Sequence, residues 1–385
     1  MRVRERRICV VAQASQIDHL LRERVLADLA SRFGTRLLIV ESGSTGAELL
    51  GDVPAELLEG VEIESCEFRN STLALGRTIA ASLTYRFASR SAGYRLKIAA
   101  HLLGPLRIRV ESTHRALADV TRNLHRLIRR LATDLPVMLV AIWPFSQLAQ
   151  SYLWHICQRD LQTRRDEGKS PFASCDAVVI LMSRQTTSVL WASWQAADDG
   201  RATVLVPLKW DNATSKAPLI VSPTRLCVYN ENSRVSCIAL HRIDLRRIAV
   251  IGNPEHPGNF EDRGARVSSQ SRQPLVAVLG ARKDPRSVDP WIHVVLQEAK
   301  RVGFRVWWRP YPTTDATHIS WIRSVASGQG HLQVDQAILD RSSHRSHGSV
   351  PFAVRQVAYQ AYIQELSQCT VVVSEVTSEI GRAHV

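Results

Sequence analysis

Short runs of apolar and β-branched residues recur along the chain, separated by longer amphipathic stretches. The first series lies at residues 8–11, 36–40, 61–63, 137–142, 177–182 and 203–206, followed by 226–229 and 248–251. Apolar runs of this length are typical of buried parallel strands, and amphipathic stretches between them are typical of crossover helices. The pattern therefore predicts a doubly wound α/β unit.

A second series of the same kind follows a segment without apolar periodicity. Residues 255–274 are rich in Gly, Pro, Ser, Arg and Asn, which predicts a linker. Beyond it, we predict strands at 275–279, 304–308, 332–334 and 370–373, with helices around 291–302 and 352–366. We expect an α/β protein with two Rossmann-like domains, the first at residues 1–247 and the second at residues 248–378.

Length and composition agree with two packed domains. The 385 residues exceed the roughly 100 to 200 residues of one ordinary core, and 45% hydrophobic with 22% charged residues excludes disordered and collagen-like classes. Seven cysteines without any Cys-x-x-Cys spacing favour reduced thiols in a cytoplasmic protein. The longest apolar stretch, residues 135–145, is far shorter than the roughly 20 residues of a membrane-spanning helix.

Most of the net charge of +13 is concentrated in one region. Residues 72–131 carry twelve basic and two acidic side chains, and we expect them to form a helical insertion. Within residues 120–132, apolar side chains at helical spacing are flanked by arginines, namely Leu124, Leu127, Ile128 and Leu131 beside Arg122, Arg126, Arg129 and Arg130. Two interpretations stay open for this basic amphipathic helix: a solvated face, or docking on an anionic membrane or acceptor.

A polar loop follows the predicted strand that ends near residue 208. Residues 209–216 bring hydroxyls, an amide, a carboxylate and an ammonium group together. Because doubly wound sheets bind ligands beyond the carboxyl ends of their strands, this chemistry suits a phosphate or a sugar. A capping turn, in which Asp211 or Asn212 binds local backbone N–H groups, explains the same residues, and spacing alone favours the turn.

The string Trp-Asp-Asn-Ala-Thr-Ser-Lys at residues 210–216 resembles an element of bacterial glycosyltransferase-like proteins of the GT-B architecture, relatives of the CDP-glycerol glycerophosphotransferases. The strand and Gly-Asn-Pro turn at residues 248–254 are similar to the entry of that family into its C-terminal domain. Lipid-A-disaccharide synthase and UDP-N-acetylglucosamine 2-epimerase have a similar turn. Detailed similarity covers residues 176–254, with a thinner similarity over 275–312 and 369–378.

The resemblance implies transfer of a sugar, or of glycerol phosphate, from a nucleotide-activated donor to an envelope glycan or a lipid-linked acceptor. Arg309 keeps the planar fork that binds phosphate, and the loop after Ser374 would open a helix whose N-terminus faces the donor diphosphate. The implied donor-binding residues are Asp211, Asn212, Ser215, Lys216, Gly252, Asn253, Arg309, Tyr311, Ser374, Thr377 and Ser378, with the loop at 211–216 facing the others across a cleft.

The catalytic base is unassigned. Tyr311 stands where the family has a histidine, and a phenol titrates near 10 against roughly 6.5 for imidazole, so an acid–base role does not carry over. His19, after the first predicted strand, is retained as a candidate base.

Neither a cofactor nor a metal is expected. His344 and His347 have metal-like spacing, but their short loop contains no further ligand. Nucleic acid is not an expected partner, because the tryptophans do not form a base-stacking platform. Two alternatives stay open beside the transferase: a nucleotide-sugar epimerase of the same fold, and a non-catalytic binding protein that uses its basic region.

The last seven residues, 379–385, resemble the conceptual translation of a sequencing adapter. On this interpretation the second domain is truncated, its strand at 370–373 lacks a covering helix, and this chain is expected to be inactive although its full-length parent is a transferase. We expect the protein in the cytoplasm, peripheral on the inner face of the membrane.

Overall fold

Apart from residues 137–142, both predicted series of strands form parallel sheets, which confirms the α/β class. The computed structural model divides into unit 1, Met1–Pro257, and unit 2, Gly258–Val385. The structure describes residues 6–21, 25–40, 50–51, 53–88, 124–125, 128–129, 132, 135, 137–142, 144–161, 170–182, 186–208, 219, 221–252, 274–280, 289–310, 316–339, 362, 365–366 and 368–374.

Unit 1 is built on seven parallel strands in the order β3-β2-β1-β4-β5-β6-β7. The strands are β1 Arg7–Gln13, β2 Gly34–Val40, β3 Val61–Cys66, β4 Ala177–Met182, β5 Ala202–Pro207, β6 Arg225–Val228 and β7 Ile248–Val250. The helices are α1 Ile17–Leu21, α2 Val25–Ala30, α3 Asn70–Ala88, α4 Phe145–Asp160, α5 Thr187–Asp198 and α6 Glu231–His241. The order β3-β2-β1-β4-β5-β6 is that of a Rossmann sheet.

The direction in which strands are added changes between β1 and β4. Strand β1 pairs with β2 on one side and with β4 on the other, and the later strands extend the sheet beyond β4. The connections that follow β1 and β4 therefore diverge, and a crevice at such a switch point is where doubly wound sheets bind ligands.

The main core of unit 1 is centred on Trp191 in α5. Its indole ring is fully buried and lies 6.0 Å from the ring of Phe68 and 5.5 Å from that of Phe172, between centroids. Helices α3, α4 and α5 pack against one another over this core. Loss of a buried aromatic ring typically costs about 3–5 kcal/mol, so this contact fixes how α5 lies on the sheet.

The predicted strand at residues 137–142 is wrong. Residues 137–140 are helical, and the side chains of Leu139 and Ile142 are 51% and 52% exposed. A short apolar run does not by itself distinguish a strand from a helix. Here the apolar side chains also face outward, which a pattern of hydrophobicity alone does not reveal.

The predicted basic insertion begins inside a core helix. Helix α3 covers Asn70–Ala88, and its residues Thr72, Ile79 and Leu83 are buried. The first part of residues 72–131 therefore belongs to the core, because α3 packs on α4 and α5. Within residues 120–132, the described positions 124, 125, 128, 129 and 132 are helical and exposed.

Strand β7 belongs to the first sheet, since it pairs with β6 from Leu226↔Ile248 to Val228↔Val250. The domain boundary that we expected after Arg247 thus lies one strand too early, and unit 1 extends to Pro257. A run of apolar residues predicts a strand but does not say which sheet the strand joins.

Unit 2 contains four parallel strands in the order β10-β9-β8-β11, with its switch point between β8 and β11. The strands are β8 Leu275–Leu279, β9 Arg305–Arg309, β10 Leu332–Val334 and β11 Val371–Ser374, and the helices are α7 Asp289–Val302 and α8 Ala316–Ala326. Trp308 packs edge-on against Trp321 of α8, while Trp307 stacks on Tyr362. Of the predicted helix at 352–366, residues 362, 365 and 366 are described and helical.

Within the described part of the chain, none of the helices is both long and apolar enough to span a bilayer.

Two of the seven cysteines interact at the start of strands β1 and β4. Cys9 in β1 and Cys175, just before β4, are buried and share a hydrogen bond. That hydrogen bond outweighs the effect of burial and, with the charge of Arg36, lowers the pKa of Cys175 from 9.0 to about 7. The same hydrogen bond raises the pKa of Cys9 well above its usual value.

We expect the free energy of unfolding to rise between pH 7 and pH 9 because of Cys175. The Cys175→Ser variant should lack this rise. The pKa of Cys175 is about 7 in the folded protein against 9.0 when unperturbed, so the folded state binds fewer protons in this window and stability rises with pH. Urea denaturation at several pH values measures the effect.

The matched control is Cys237→Ser, because burial raises the pKa of Cys237 to about 11 and its thiol stays protonated throughout the window. The same slope of stability against pH in wild type and Cys175→Ser would contradict the lowered pKa.

Candidate functional site

Polar side chains gather at the switch point of unit 1, where β1 and β4 end. Gln13 is the last residue of β1, and its Nε2 donates to Thr186 Oγ1 at 2.9 Å and to Ser188 Oγ at 3.3 Å. The two hydroxyl oxygens lie 2.8 Å apart. One amide thus joins the end of β1 to the first turn of α5, which is 173 residues away in sequence. We call Gln13, Gln16, Thr186 and Ser188 the switch-point cluster.

Gln16 contributes a buried amide that is only half satisfied. It ends the short 3-10 turn Ala14–Gln16 that follows β1, and its Oε1 accepts from the backbone N–H of Gln13 at 2.8 Å. The side chain is 1% exposed, yet its Nε2 has no hydrogen-bond partner among the described residues. A buried donor without an acceptor costs about 1–3 kcal/mol, so the group calls for an explanation such as a ligand oxygen or an ordered water.

The N-terminus of α5 completes the cluster. Thr186 is the N-cap of this twelve-residue helix, and its Oγ1 accepts from the backbone N–H of Val189 at 3.4 Å. The first N–H groups of a helix lack intrahelical acceptors, and the helix dipole adds partial positive charge. Amide, hydroxyl and backbone N–H groups of this kind can bind hydroxyl groups or an anionic oxygen. None of the four side chains titrates near neutral pH, so they are binding groups and not acid–base groups.

Gly76 fixes the position of the N-terminus of α5. A Cβ atom at this position of α3 would overlap the Thr187 hydroxyl and come within 2.7 Å of Thr187 Cβ. Thr187 itself is 1% exposed, and its Oγ1 has no partner among the described residues. The close approach of α3 therefore depends on the absence of a side chain at Gly76.

The strand ends next to the switch point are held together by hydrogen bonds. The backbone N–H of Leu208, just beyond β5, donates to the Met182 carbonyl at 2.9 Å, and the Tyr229 hydroxyl donates to the Leu208 carbonyl at 2.6 Å. Asn230 then caps α6 through Oδ1, which accepts from the Ser233 N–H at 2.9 Å. Residues 209–216 follow this carboxyl edge of the sheet in sequence.

One of the donor-binding residues predicted in unit 1 lies within the described part of the chain. Gly252 is described: it follows β7 by two residues, is exposed, and has a φ of 77°, which favours glycine. His19 lies on α1, whose backbone follows the turn after β1, and its side chain is outside what the structure describes. Asp211, Asn212, Ser215, Lys216 and Asn253 also lie outside the described residues. All of these assignments stay predictions.

In unit 2, Arg309 ends β9 and is held by two neighbours that the sequence analysis missed. Its Nη1 donates to the Asp335 carboxylate, and its Cζ lies 4.1 Å from the centre of the Tyr362 ring. The side chains of Arg309 and Asp335 are 11% and 3% exposed. Asp335 Oδ1 also accepts from the Ile338 N–H at 3.1 Å. This pair orients the guanidinium group, which has four further N–H donors.

The remaining residues predicted in unit 2 lie near the switch point of its sheet or outside the described residues. Ser374 is the last residue of β11, which pairs with β8 up to Leu279. Tyr311, Thr377, Ser378 and residues 379–385 lie outside the described residues. One signal could have led to Asp335: it directly follows the apolar strand β10, at the same edge of the sheet as Arg309.

No protein-family model matches the chain, and no curated protein matches it in sequence. Among solved structures, the chain is similar to UDP-GlcNAc 2-epimerase from Neisseria meningitidis bound to UDP-GlcNAc, with 9% identity, a TM-score of 0.43, and coverage of 96% of this chain and 77% of that one. The UDP-N-acetylglucosamine 2-epimerase from Rickettsia bellii has 9% identity and a TM-score of 0.37, and the match covers 87% of this chain and 71% of that one. UGT89C1 from Arabidopsis thaliana complexed with UDP has 10% identity and a TM-score of 0.33, and the match covers 80% of this chain and 65% of that one. Similarity at this level assigns no function to the chain.

We expect Gly76→Ala to lower the free energy of unfolding by about 1–3 kcal/mol, as overpacking of a filled site does. The helix preference of alanine opposes this by about 0.5–1 kcal/mol, so the net change should still be destabilising. Gly330→Ala is the control, because nothing lies within 4 Å of a Cβ at that position. Urea denaturation followed by circular dichroism compares the two. A Gly76→Ala protein as stable as Gly330→Ala would show that α3 and α5 do not pack this closely.

Proposed function

We propose that the protein transfers a sugar, or glycerol phosphate from an alditol donor, to a cell-envelope glycan or a lipid-linked acceptor. One observation carries the proposal: a sheet of Rossmann order whose switch point holds the switch-point cluster, with a buried amide nitrogen of Gln16 that has no hydrogen-bond partner among the described residues. In sheets of this order the switch point is the place where ligands bind. The resemblance of residues 210–216 to glycosyltransferase-like proteins supports a nucleotide-activated donor.

Unit 1 would bind the acceptor. The amides of Gln13 and Gln16 and the hydroxyls of Thr186 and Ser188 each offer donors or acceptors without carrying charge. Sugar hydroxyls likewise both donate and accept, so a neutral polyhydroxyl group matches the switch-point cluster better than a metal or a strongly charged group does.

Unit 2 would bind the donor. The guanidinium of Arg309, already oriented by Asp335, has further N–H donors for a diphosphate oxygen, and Ser374, Thr377 and Ser378 would add hydroxyl and backbone donors. The resemblance also assigns donor contacts to Asp211, Asn212, Ser215 and Lys216 in the loop after β5, and to Gly252, Asn253 and Tyr311.

Stabilisation of the leaving nucleotide diphosphate would supply much of the rate. With a sugar donor, the bond between the anomeric carbon and the diphosphate oxygen breaks, and an acceptor hydroxyl oxygen forms the new glycosidic bond. With a glycerol phosphate donor, the bond between the two phosphates breaks instead, the acceptor oxygen bonds to phosphorus, and the nucleoside monophosphate leaves. The acceptor proton passes to a base, for which His19 is the candidate.

Product analysis tests the proposal. The full-length parent protein is incubated with labelled UDP-glucose, UDP-N-acetylglucosamine or CDP-glycerol together with bacterial envelope glycans and lipids. We expect label in the acceptor and release of the nucleotide. Conversion of the nucleotide sugar into an epimer without any acceptor would contradict transfer, and so would salt-sensitive binding to RNA or DNA without binding of any donor.

In the full-length parent protein, we expect Lys216→Ala to weaken donor binding about tenfold or more, because a hydrogen bond to a charged group is worth about 1.5–3 kcal/mol. Stability should change by no more than roughly 0.5 kcal/mol, as for most surface substitutions. Lys300→Ala, at an exposed position in the last turn of α7, is the matched control. Isothermal titration calorimetry with the donor measures both. Equal affinities of the two variants would remove Lys216 from the site.

We also propose that unit 1 binds anionic membranes through residues 72–131 and the helical stretch that follows. Support comes from apolar side chains that are each at least half exposed: Leu124, Ile128, Leu135, Leu139, Ile142, Phe145, Leu148 and Tyr152. The sequence adds arginines to the same region, and exposed apolar groups with positive charge are what segments that lie on anionic bilayers combine.

We expect the protein to float with phosphatidylglycerol vesicles and not with phosphatidylcholine vesicles. Binding should fade with salt, since the Debye length falls from about 10 Å at 0.1 M to about 3 Å at 1 M. A Phe145→Ser, Leu148→Ser variant should bind more weakly, whereas Val294→Ser, at an exposed apolar position of α7, should not. Equal flotation with both lipids, or with neither, would overturn the proposal.

A further inference from the structure

A groove of about 500 Å³ lies where the exposed faces of α4 and α5 meet. Its volume is within the range of about 300–1,000 Å³ that small-molecule sites occupy. Trp194 and Asp198 follow Ser188 by six and ten residues, about 9 and 15 Å along the helix, so the groove is distinct from the switch-point cluster. It is lined by Gln147, Gln150, Ser151, Trp154, Trp194, Ala197 and Asp198, and we call it the tryptophan groove.

The two tryptophans form rigid walls. Trp154 of α4 and Trp194 of α5 are half-buried, pack against the main core, and contact each other edge to face with centroids 5.8 Å apart and planes at 73°. Beside them, Gln158 Nε2 donates to Gln195 Oε1 at 2.8 Å, which joins the two helices. Because the rings are held from behind, they need not be ordered when a ligand binds.

Polar groups flank the rings along one face of α4. Gln147, Gln150, Ser151 and Trp154 follow the spacing of three, four and seven residues that places side chains on the same side of a helix. Asp198 faces them from α5. The described lining therefore offers two amides, a hydroxyl and one carboxylate, and it contains no basic side chain.

This combination of groups matches a sugar ring. A pyranose has one face of C–H groups, which can cover an indole ring, and an edge of hydroxyls that donate and accept hydrogen bonds. Protein amides and hydroxyls can both donate hydrogen bonds to sugar hydroxyls and accept them, and a carboxylate can accept hydrogen bonds from two hydroxyls. A phosphate or another anion would meet Asp198 without any cation in the lining, so anionic ligands do not fit.

We propose that the tryptophan groove is a carbohydrate-binding site that holds a neutral glycan segment, with one sugar ring stacked on Trp154 or Trp194. The groove is open along the surface, which lets a segment within a longer chain lie in it. The inference assigns binding alone and does not depend on the transfer reaction.

Binding is measured by isothermal titration calorimetry with chitohexaose, cellohexaose and maltohexaose as separate probes. We expect at least one of them to bind, and we expect Trp154→Ala and Trp194→Ala each to weaken that binding about tenfold. Trp321→Ala is the matched control, because Trp321 contacts Trp308 edge to face with the same 5.8 Å separation in unit 2. Its affinity for the probes should equal that of wild type.

A double variant, Gln147→Ala with Asp198→Ala, keeps the test decisive if a tryptophan variant fails to fold. Both side chains are exposed, so we expect the double variant to fold. We expect its glycan affinity to fall several-fold, with unchanged circular dichroism and unchanged nucleotide-sugar binding. Failure of all three glycans to bind the wild-type protein would overturn the inference. Equal glycan affinity of this variant and the wild-type protein would also overturn it, and so would tighter binding of the small cation choline than of any glycan.

Discussion

The pairing of β1 with both β2 and β4 is the constraint on which unit 1 depends. Because β1 is an interior strand of the sheet, its residues 9–12 are buried, and its end at Gln13 marks the place where the chain connections diverge. The Gln13 amide then ties this end to Thr186 and Ser188. Hydrogen bonds of this kind contribute about 0.5–1.5 kcal/mol each, much less than burial of a whole strand. The pairing of the strands therefore determines where α5 begins, and the Gln13 amide orients the first turn of α5.

In unit 2, a nearly buried ion pair has a comparable structural role. Arg309 and Asp335 are nearly buried and paired, and Tyr362 covers the guanidinium. Removing one partner of such a pair typically costs about 3–5 kcal/mol, because the other charge stays buried and unpaired. Arg309 thus has a structural role in addition to the donor contact that we propose for it. A substitution of Arg309 would change both the stability of unit 2 and donor binding, so a substitution of Lys216 is the better probe of donor binding.

The sequence predicts those elements whose apolar residues are buried on both faces, such as β1, β4 and β8. It fails at residues 137–142, where apolar side chains lie exposed on a helix, and at Arg247, because a strand pattern does not indicate sheet membership. The contacts of the candidate site were beyond prediction for another reason. Gln13 meets Thr186 across 173 residues, and Arg309 meets Asp335 only because β9 and β10 are neighbours in the sheet. Such contacts follow from strand order, which local patterns do not contain.

Hydrogen–deuterium exchange tests most directly whether the switch point of each sheet binds ligand. Exchange is compared with and without the nucleotide-activated donor and the acceptor that together support transfer. We predict slower exchange with the acceptor at residues 13–21 and 186–190, and slower exchange with the donor around residues 209–216, 280, 309 and 374. Protection confined to other segments, while both ligands are bound, would contradict the assignment of the switch points as the ligand sites.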